Sequence, residues 1–192
     1  MKIKLLTAVC LMLAATFAAS AQNHQTFKGV PIDGRTSAFI HQLKQKGFQQ
    51  IGKSDTLIGT FAGYNDCEVT VLTSNQNNMV YGVKVQIPMC YPLGIYAEYK
   101  KLQAALTEKY GNPVKEEVQS YENDFVKAIY KLITSVEYSD SYPFRSVFDT
   151  GCGSVTMEVA WIASECGGGF IVMTYIDNAN ENVRRQIIYD DL

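Results

Sequence analysis

The stretch Leu57 to Pro88, LIGTFAGYNDCEVTVLTSNQNNMVYGVKVQIP, decides how this chain folds. In Cys67-Glu68-Val69-Thr70-Val71-Leu72-Thr73, the side chains of Cys67, Val69 and Val71 share one face and those of Glu68 and Thr70 the other. Tyr81-Gly82-Val83-Lys84-Val85-Gln86-Ile87 repeats the pattern, with Tyr81, Val83, Val85 and Ile87 set against Gly82, Lys84 and Gln86. Strict alternation marks antiparallel strands with one face buried and one face wet. Ser74-Asn75-Gln76-Asn77-Asn78 between them consists of residues that bond their own main chain and tolerate left-handed backbone, so it predicts a hairpin turn. Upstream, Ile58 to Tyr64 supplies a third strand ended by Asn65-Asp66, and its two glycines point to a close backbone approach or a bulge.

Working outward, Asp33 can cap a helix through Lys46, with Phe39, Ile40 and Leu43 as its apolar stripe and Gly47 as its terminator. A short strand at Phe48 to Ile51 follows. Beyond Pro88, Ile95, Tyr99, Leu102 and Leu106 recur at helical spacing from about Gly94 to Tyr110, and Gly111-Asn112-Pro113 stops the helix. A strand at Val114 to Gln119 comes next. Phe125, Ile129, Leu132, Ile133 and Val136 then predict an inserted helix over 122–136. Strands return at Phe144 to Asp149, Ser154 to Ala163 and Phe170 to Asp177, and Asn178 or Asn180 can cap a last helix through Ile188. The expected class is α+β. It takes the form of two tandem units, residues 22–92 and 93–192, each a helix followed by an antiparallel meander of about four strands.

The first 21 residues stand apart. Lys2 and Lys4 precede an apolar run from Leu5 to Ala18, and Ala19-Ser20-Ala21 reads as a cleavage site, which predicts a signal peptide and an exported product, periplasmic or secreted. The apolar run is too short for a membrane span, so none is expected after cleavage. Removing the leader takes 2 of the 17 basic residues, leaving 15 against 19 acidic ones, a balance of −4. That argues against nucleic acid as a partner. Four cysteines remain, Cys67, Cys90, Cys152 and Cys166, and in an exported protein an even number invites two disulfides with three possible connectivities. Cys67 opens one strand and Cys90 follows the end of its hairpin partner, so this pair is the preferred bridge. Cys152 and Cys166 flank a strand of about ten residues, roughly 30 Å long, and are poor mates for each other. Free buried thiols are the alternative.

The order of elements resembles the tandem helix-plus-four-strand units of the beta-lactamase-inhibitor-protein-like fold, and small periplasmic domains such as those of outer-membrane assembly lipoproteins. Phe27-Lys28-Gly29-Val30-Pro31-Ile32-Asp33-Gly34, Gly59-Thr60-Phe61-Ala62-Gly63-Tyr64 and the closing Asp190-Asp191-Leu192 resemble uncharacterised exported proteins of gut Bacteroidetes. Asp55-Thr56-Leu57 is similar to the O-glycosylation acceptor motif of those bacteria. The first resemblance implies a grip on a partner through the polar faces of the sheet.

Side chains suited to catalysis are sparse. The two histidines, His24 and His41, have no sequence neighbour that would make either a general base, and no short Cys/His spacing fits zinc. Ser154 in Gly151-Cys152-Gly153-Ser154-Val155 lacks the strand-turn-helix setting of a nucleophile elbow, and no helix or lysine follows Gly167-Gly168-Gly169. Asp177-Asn178-Ala179-Asn180-Glu181 gathers oxygens without the spacing of a calcium loop. Neither metal nor cofactor is expected. Trp161 alternates with Val155, Met157 and Val159 and reads as core.

The expected binding surface is therefore the wet side of the sheet. It would carry Glu68, Thr70, Lys84 and Gln86 from the first unit, and Thr156, Glu158, Met173 and Tyr175 from the second. The expected function is a non-catalytic exported module that holds a protein or peptide there. A hydrolase using Glu68 and Glu158 as a carboxylate pair is one alternative. An inhibitor of a secreted enzyme, presenting aromatics from Tyr138 to Phe144, is another.

Overall fold

The structure, a computed structural model, describes residues 23–89, 92–118, 144–161 and 169–190. The expected leader, the inserted helix over 122–136, Cys90 and Cys166 lie outside these residues. In chain order the described elements are β1 (Thr26–Phe27), β2 (Val30–Pro31), α1 (Thr36–Gln45), β3 (Gln49–Gln50), β4 (Thr56–Phe61), β5 (Tyr64–Thr73), β6 (Val80–Met89), α2 (Pro92–Tyr110), β7 (Lys115–Val118), β8 (Phe144–Asp149), β9 (Gly153–Trp161), β10 (Gly169–Asp177) and α3 (Asn178–Asp190). The class is α+β. β1 and β2 pair alone, and the other eight strands form one sheet in the order β3-β4-β5-β6-β10-β9-β8-β7. Every pairing between its neighbours is antiparallel.

The alternation read from Leu57 to Pro88 appears as β4, β5 and β6, but the first turn sits earlier than expected. Phe61 pairs with Tyr64, so Ala62 and Gly63 alone form the turn, with φ of 51° and 86°. A two-residue hairpin matches the strand twist only when both central residues take positive φ, and glycine supplies one of them at no steric cost. Asn65 and Asp66 therefore lie inside β5. The backbone makes its close approach at Gly59, where a Cβ would collide with the Phe48 ring, so a bare backbone there is what lets Phe48 into the core.

Helix α1 ends as its sequence requires. Gly47 takes φ 94°, its N–H donates to Lys44 O (3.1 Å), and Phe48 N–H donates to Leu43 O (3.2 Å). Its start is a correction. The N-cap is Arg35, with no side-chain bond, and Asp33 is occupied elsewhere. The cap of α3 is corrected too: Asp177 Oδ2 accepts the Asn180 N–H at 2.9 Å, the role expected of Asn178 or Asn180.

The core lies on one side of the sheet. Leu57, Val69, Val85, Met173, Met157 and Ser146 form one register row across β4, β5, β6, β10, β9 and β8, and all six are buried. Phe39, Ile40 and Leu43 of α1 and Ile95, Tyr99, Leu102 and Leu106 of α2 join the same cluster. Phe27 brings in the small hairpin, stacking on Phe61 (5.5 Å) and meeting Tyr175 edge-on (5.4 Å). The one buried hydroxyl in that row is satisfied: Ser146 Oγ is 2.7 Å from Tyr99 Oη and accepts from Gln103 Nε2 at 2.9 Å. Burial pushes the Tyr99 phenol up to about 12, so it remains a neutral hydrogen-bonding group throughout the physiological range.

Candidate functional site

The opposite face carries two adjacent rows. Glu68, Gln86, Val172, Glu158 and Arg145 stand level across β5, β6, β10, β9 and β8. Thr70, Lys84, Thr174 and Thr156 form the next row across the four central strands. Pairing of β6 with β10 makes the rows continuous, so six of the eight expected residues share one surface: Glu68, Thr70, Lys84, Gln86, Thr156 and Glu158. Glu68 is exposed and the other five are partly so.

Met173 and Tyr175 do not belong to it, which corrects their placement. They are 2% and 7% exposed and face the core, Met173 level with Val85 and Met157 and Tyr175 against Phe27. The register error is one residue, and it turns every side chain of β10 over. Val172 and Thr174 hold the places assigned to them. Arg145 was missed although Phe144-Arg145-Ser146-Val147-Phe148 alternates plainly: its Nε lies 3.7 Å from Glu158 Oε2.

Glu68 and Glu158 are separated by β6 and β10. Three inter-strand steps put their backbones about 14 Å apart on this face. Burial raises the Glu158 carboxyl above its usual range, and the nearby Arg145 and Lys84 only partly offset this. Folding therefore favours its protonated form. Its effect on stability is absent at low pH and becomes unfavourable as pH rises from about 4.3 upward. Glu158→Gln is expected to match the wild type in urea unfolding near pH 4 and to exceed it near pH 7; an equal or lower midpoint near pH 7 would contradict this assignment.

Cys67 also departs from expectation. It is a free thiol, fully buried, with Sγ 3.4 Å from Tyr64 O. Cys90, the mate expected for it, lies outside the described residues. Cys152 is a free, partly exposed thiol beside Gln25 and Thr150. His41 is exposed on α1, as its sequence position implies.

A second polar cluster went unread in the sequence because its members come from four distant segments. Asp177 is fully buried; Oδ1 accepts from Gln25 N–H (2.7 Å) and Oδ2 faces His24 Nδ1 (3.1 Å) as well as the Asn180 N–H. Asn180 Nδ2 in turn donates to Ile32 O, Asp33 Oδ1 and Val80 O, each at 3.0 Å. This cluster ties the segment before β1 to the junction of β10 and α3. The Asp177 carboxylate and the Asn180 amide are both fully engaged within it, which is the mark of a structural lock, and Gln25 Nε2 beside them is left buried without a partner.

Among the described residues, no group of three or more His, Cys, Asp or Glu side chains is arranged to hold a metal ion. No helix there is long and apolar enough to cross a membrane. Fold and site together define an α+β protein with a partly buried, mixed-charge face on an eight-stranded antiparallel sheet. Comparison with protein-family models, with curated proteins and with solved structures finds no match.

Proposed function

We propose that the chain is a non-catalytic, exported binding module that holds a protein or peptide against the polar face of its sheet. The carrying observation is the pair of rows over β5, β6, β10 and β9, where carboxylate, ammonium, amide and hydroxyl groups stand in adjacent register positions around one buried residue, Val172. Such a face offers donors, acceptors and both signs of charge, and so favours a partner with mixed polar side chains over a single small substrate. An enzyme inhibitor is a special case of the same binding role.

The finer architecture belongs to this reading. We take α1 with β3–β6 and α2 with β7–β10 as two tandem units joined through their last strands, in keeping with the strand order β3-β4-β5-β6-β10-β9-β8-β7. The two units then contribute equal shares of one surface, which would allow a partner wider than either.

The test compares mature protein with the double variant Glu68→Lys, Thr174→Glu in capture from the native organism's envelope fraction. The expected result is a partner retained by the wild type and lost by the variant, with unchanged circular dichroism. Equal recovery of every captured protein would remove the sheet face as the binding surface.

A further inference from the structure

Beyond its two rows, the polar face of the sheet ends in apolar side chains. Pro88, Phe170 and Ala160 stand level across β6, β10 and β9, and Val172 lies two residues along β10 from Phe170 on the same face. Val172 is 4% exposed, the one buried residue of the two rows, although Gln86 and Glu158 beside it are partly exposed. Toward β8, Arg145 Nε is buried without a hydrogen-bond acceptor. The described helices do not account for this shielding. α1 and α2 pack into the core. α3 runs along the Asp177 end of the sheet, from the Asn178 N–H on Cys152 O (3.0 Å) to Arg184 over the Tyr81 ring.

A long piece of chain leaves the sheet at this end. Val118 and Phe144 are partners across β7 and β8, so residues 119–143, which lie outside the described residues, depart and return at one place. Arg145, next to Phe144, is level with Glu158, which sets that place within two residues of Ala160. A hairpin between neighbouring antiparallel strands needs only about 2–5 residues in its loop. The surplus is amphipathic in sequence. Phe125, Ile129, Leu132, Ile133 and Val136 recur at helical spacing, and Lys127 and Lys131 fall on the opposite side of the same period. As a helix, residues 122–136 would be about 22 Å long. That is enough to cross β8, β9, β10 and β6, whose three inter-strand steps span about 14 Å.

We propose that the apolar end of the sheet face is the docking site of the chain's own residues 122–136, which lie as a helix on Pro88, Ala160, Phe170 and Val172. The stripe from Phe125 to Val136 and the patch beneath it leave water together, which drives the contact. A second copy of the chain fits less well. A stable interface takes about 800 Å² from each partner, and four side chains, one of them already buried, fall short of that. A separate peptide would also lose freedom of movement on binding that a tethered segment has already given up. This goes beyond the reading of the sheet face as a partner surface. The row Thr70, Lys84, Thr174 and Thr156 stays open to a partner, and the row beyond it is occupied by the chain itself.

The test is NMR of mature protein labelled at its Ile, Leu, Val and Ala methyl groups. Nuclear Overhauser contacts are expected from Val172 and Ala160 to Ile129, Leu132 or Ile133, and a mixture of labelled and unlabelled chains is expected to show that they arise within one chain. Leu132→Asp with Ile133→Asp is expected to abolish these contacts and to shift the Val172 and Ala160 methyl resonances. Those of Val69 and Val85, on the core side, are expected to stay in place. Glu68→Lys should keep every contact, so the result is independent of the capture experiment. Absence of any contact from 122–136 to Val172 or Ala160, contacts arising only between chains, or an unshifted Val172 in the double variant overturns the proposal.

Discussion

Met173→Glu is expected to unfold the protein, whereas Thr174→Glu, one residue along the same strand, is expected to leave it folded. β10 is central, hydrogen-bonded to β6 on one side and β9 on the other. Met173 lies between Val85 and Met157 and is 2% exposed. A carboxylate there has no cation and no donor, and the cost of burying it, about 4 kcal/mol or more, is a large part of the 5–15 kcal/mol that holds a domain together. Thr174 lies between Lys84 and Thr156 on the open face. A carboxylate there faces the Lys84 ammonium across the strand pair, worth about 0.2–1 kcal/mol in its favour. Urea unfolding followed by circular dichroism decides the matter. If Thr174→Glu were the more damaging of the two, the register of β10, and with it the composition of the proposed surface, would be wrong by one residue.

That register is also where sequence reading failed, for a physical reason. β5 and β6 are each wet on one side, so Glu68, Thr70, Lys84 and Gln86 fix which residues point outward. In Phe170-Ile171-Val172-Met173-Thr174-Tyr175-Ile176 the apolar run is almost continuous, and period alone leaves its phase open. Its pairing with the two neighbours, Thr174 opposite Lys84 of β6 and Thr156 of β9, sets it. The helices were legible because their stripes and terminal glycines are local signals. The caps were less so: Asp33 and Asn180 both have the right chemistry, but long-range partners compete for them. Similarly, the turn at Ala62-Gly63 was hidden behind Asn65-Asp66, which has turn-forming side chains but lies in a strand. The six face residues read correctly came from strands of clear alternation. The lock around Asp177 joins residues 24, 25, 33, 177 and 180, and no periodicity reports such a meeting.

Asp177→Ala tests whether that lock holds the two ends of the fold together. The substitution removes an N-cap, worth about 1 kcal/mol. It also strands the buried N–H groups of Gln25 and Asn180, each costing about 1–3 kcal/mol when left without an acceptor. The cap bond is the Asn180 N–H bond itself, so the expected loss is that of two stranded donors, about 2–6 kcal/mol, with faster hydrogen exchange at both amides. Asp177→Asn keeps one carbonyl oxygen and is expected to recover roughly half of the loss, because one of the two N–H groups regains its acceptor. His24→Ala removes only a part-buried bond and is expected to cost less than about 1 kcal/mol. The order Asp177→Ala, then Asp177→Asn, then His24→Ala follows from the number of buried donors each leaves stranded. If His24→Ala proved as damaging as Asp177→Ala, the imidazole rather than the backbone donors would be the centre of the lock. In that case the segment before β1 would be held by its side chain and not by the Gln25 N–H.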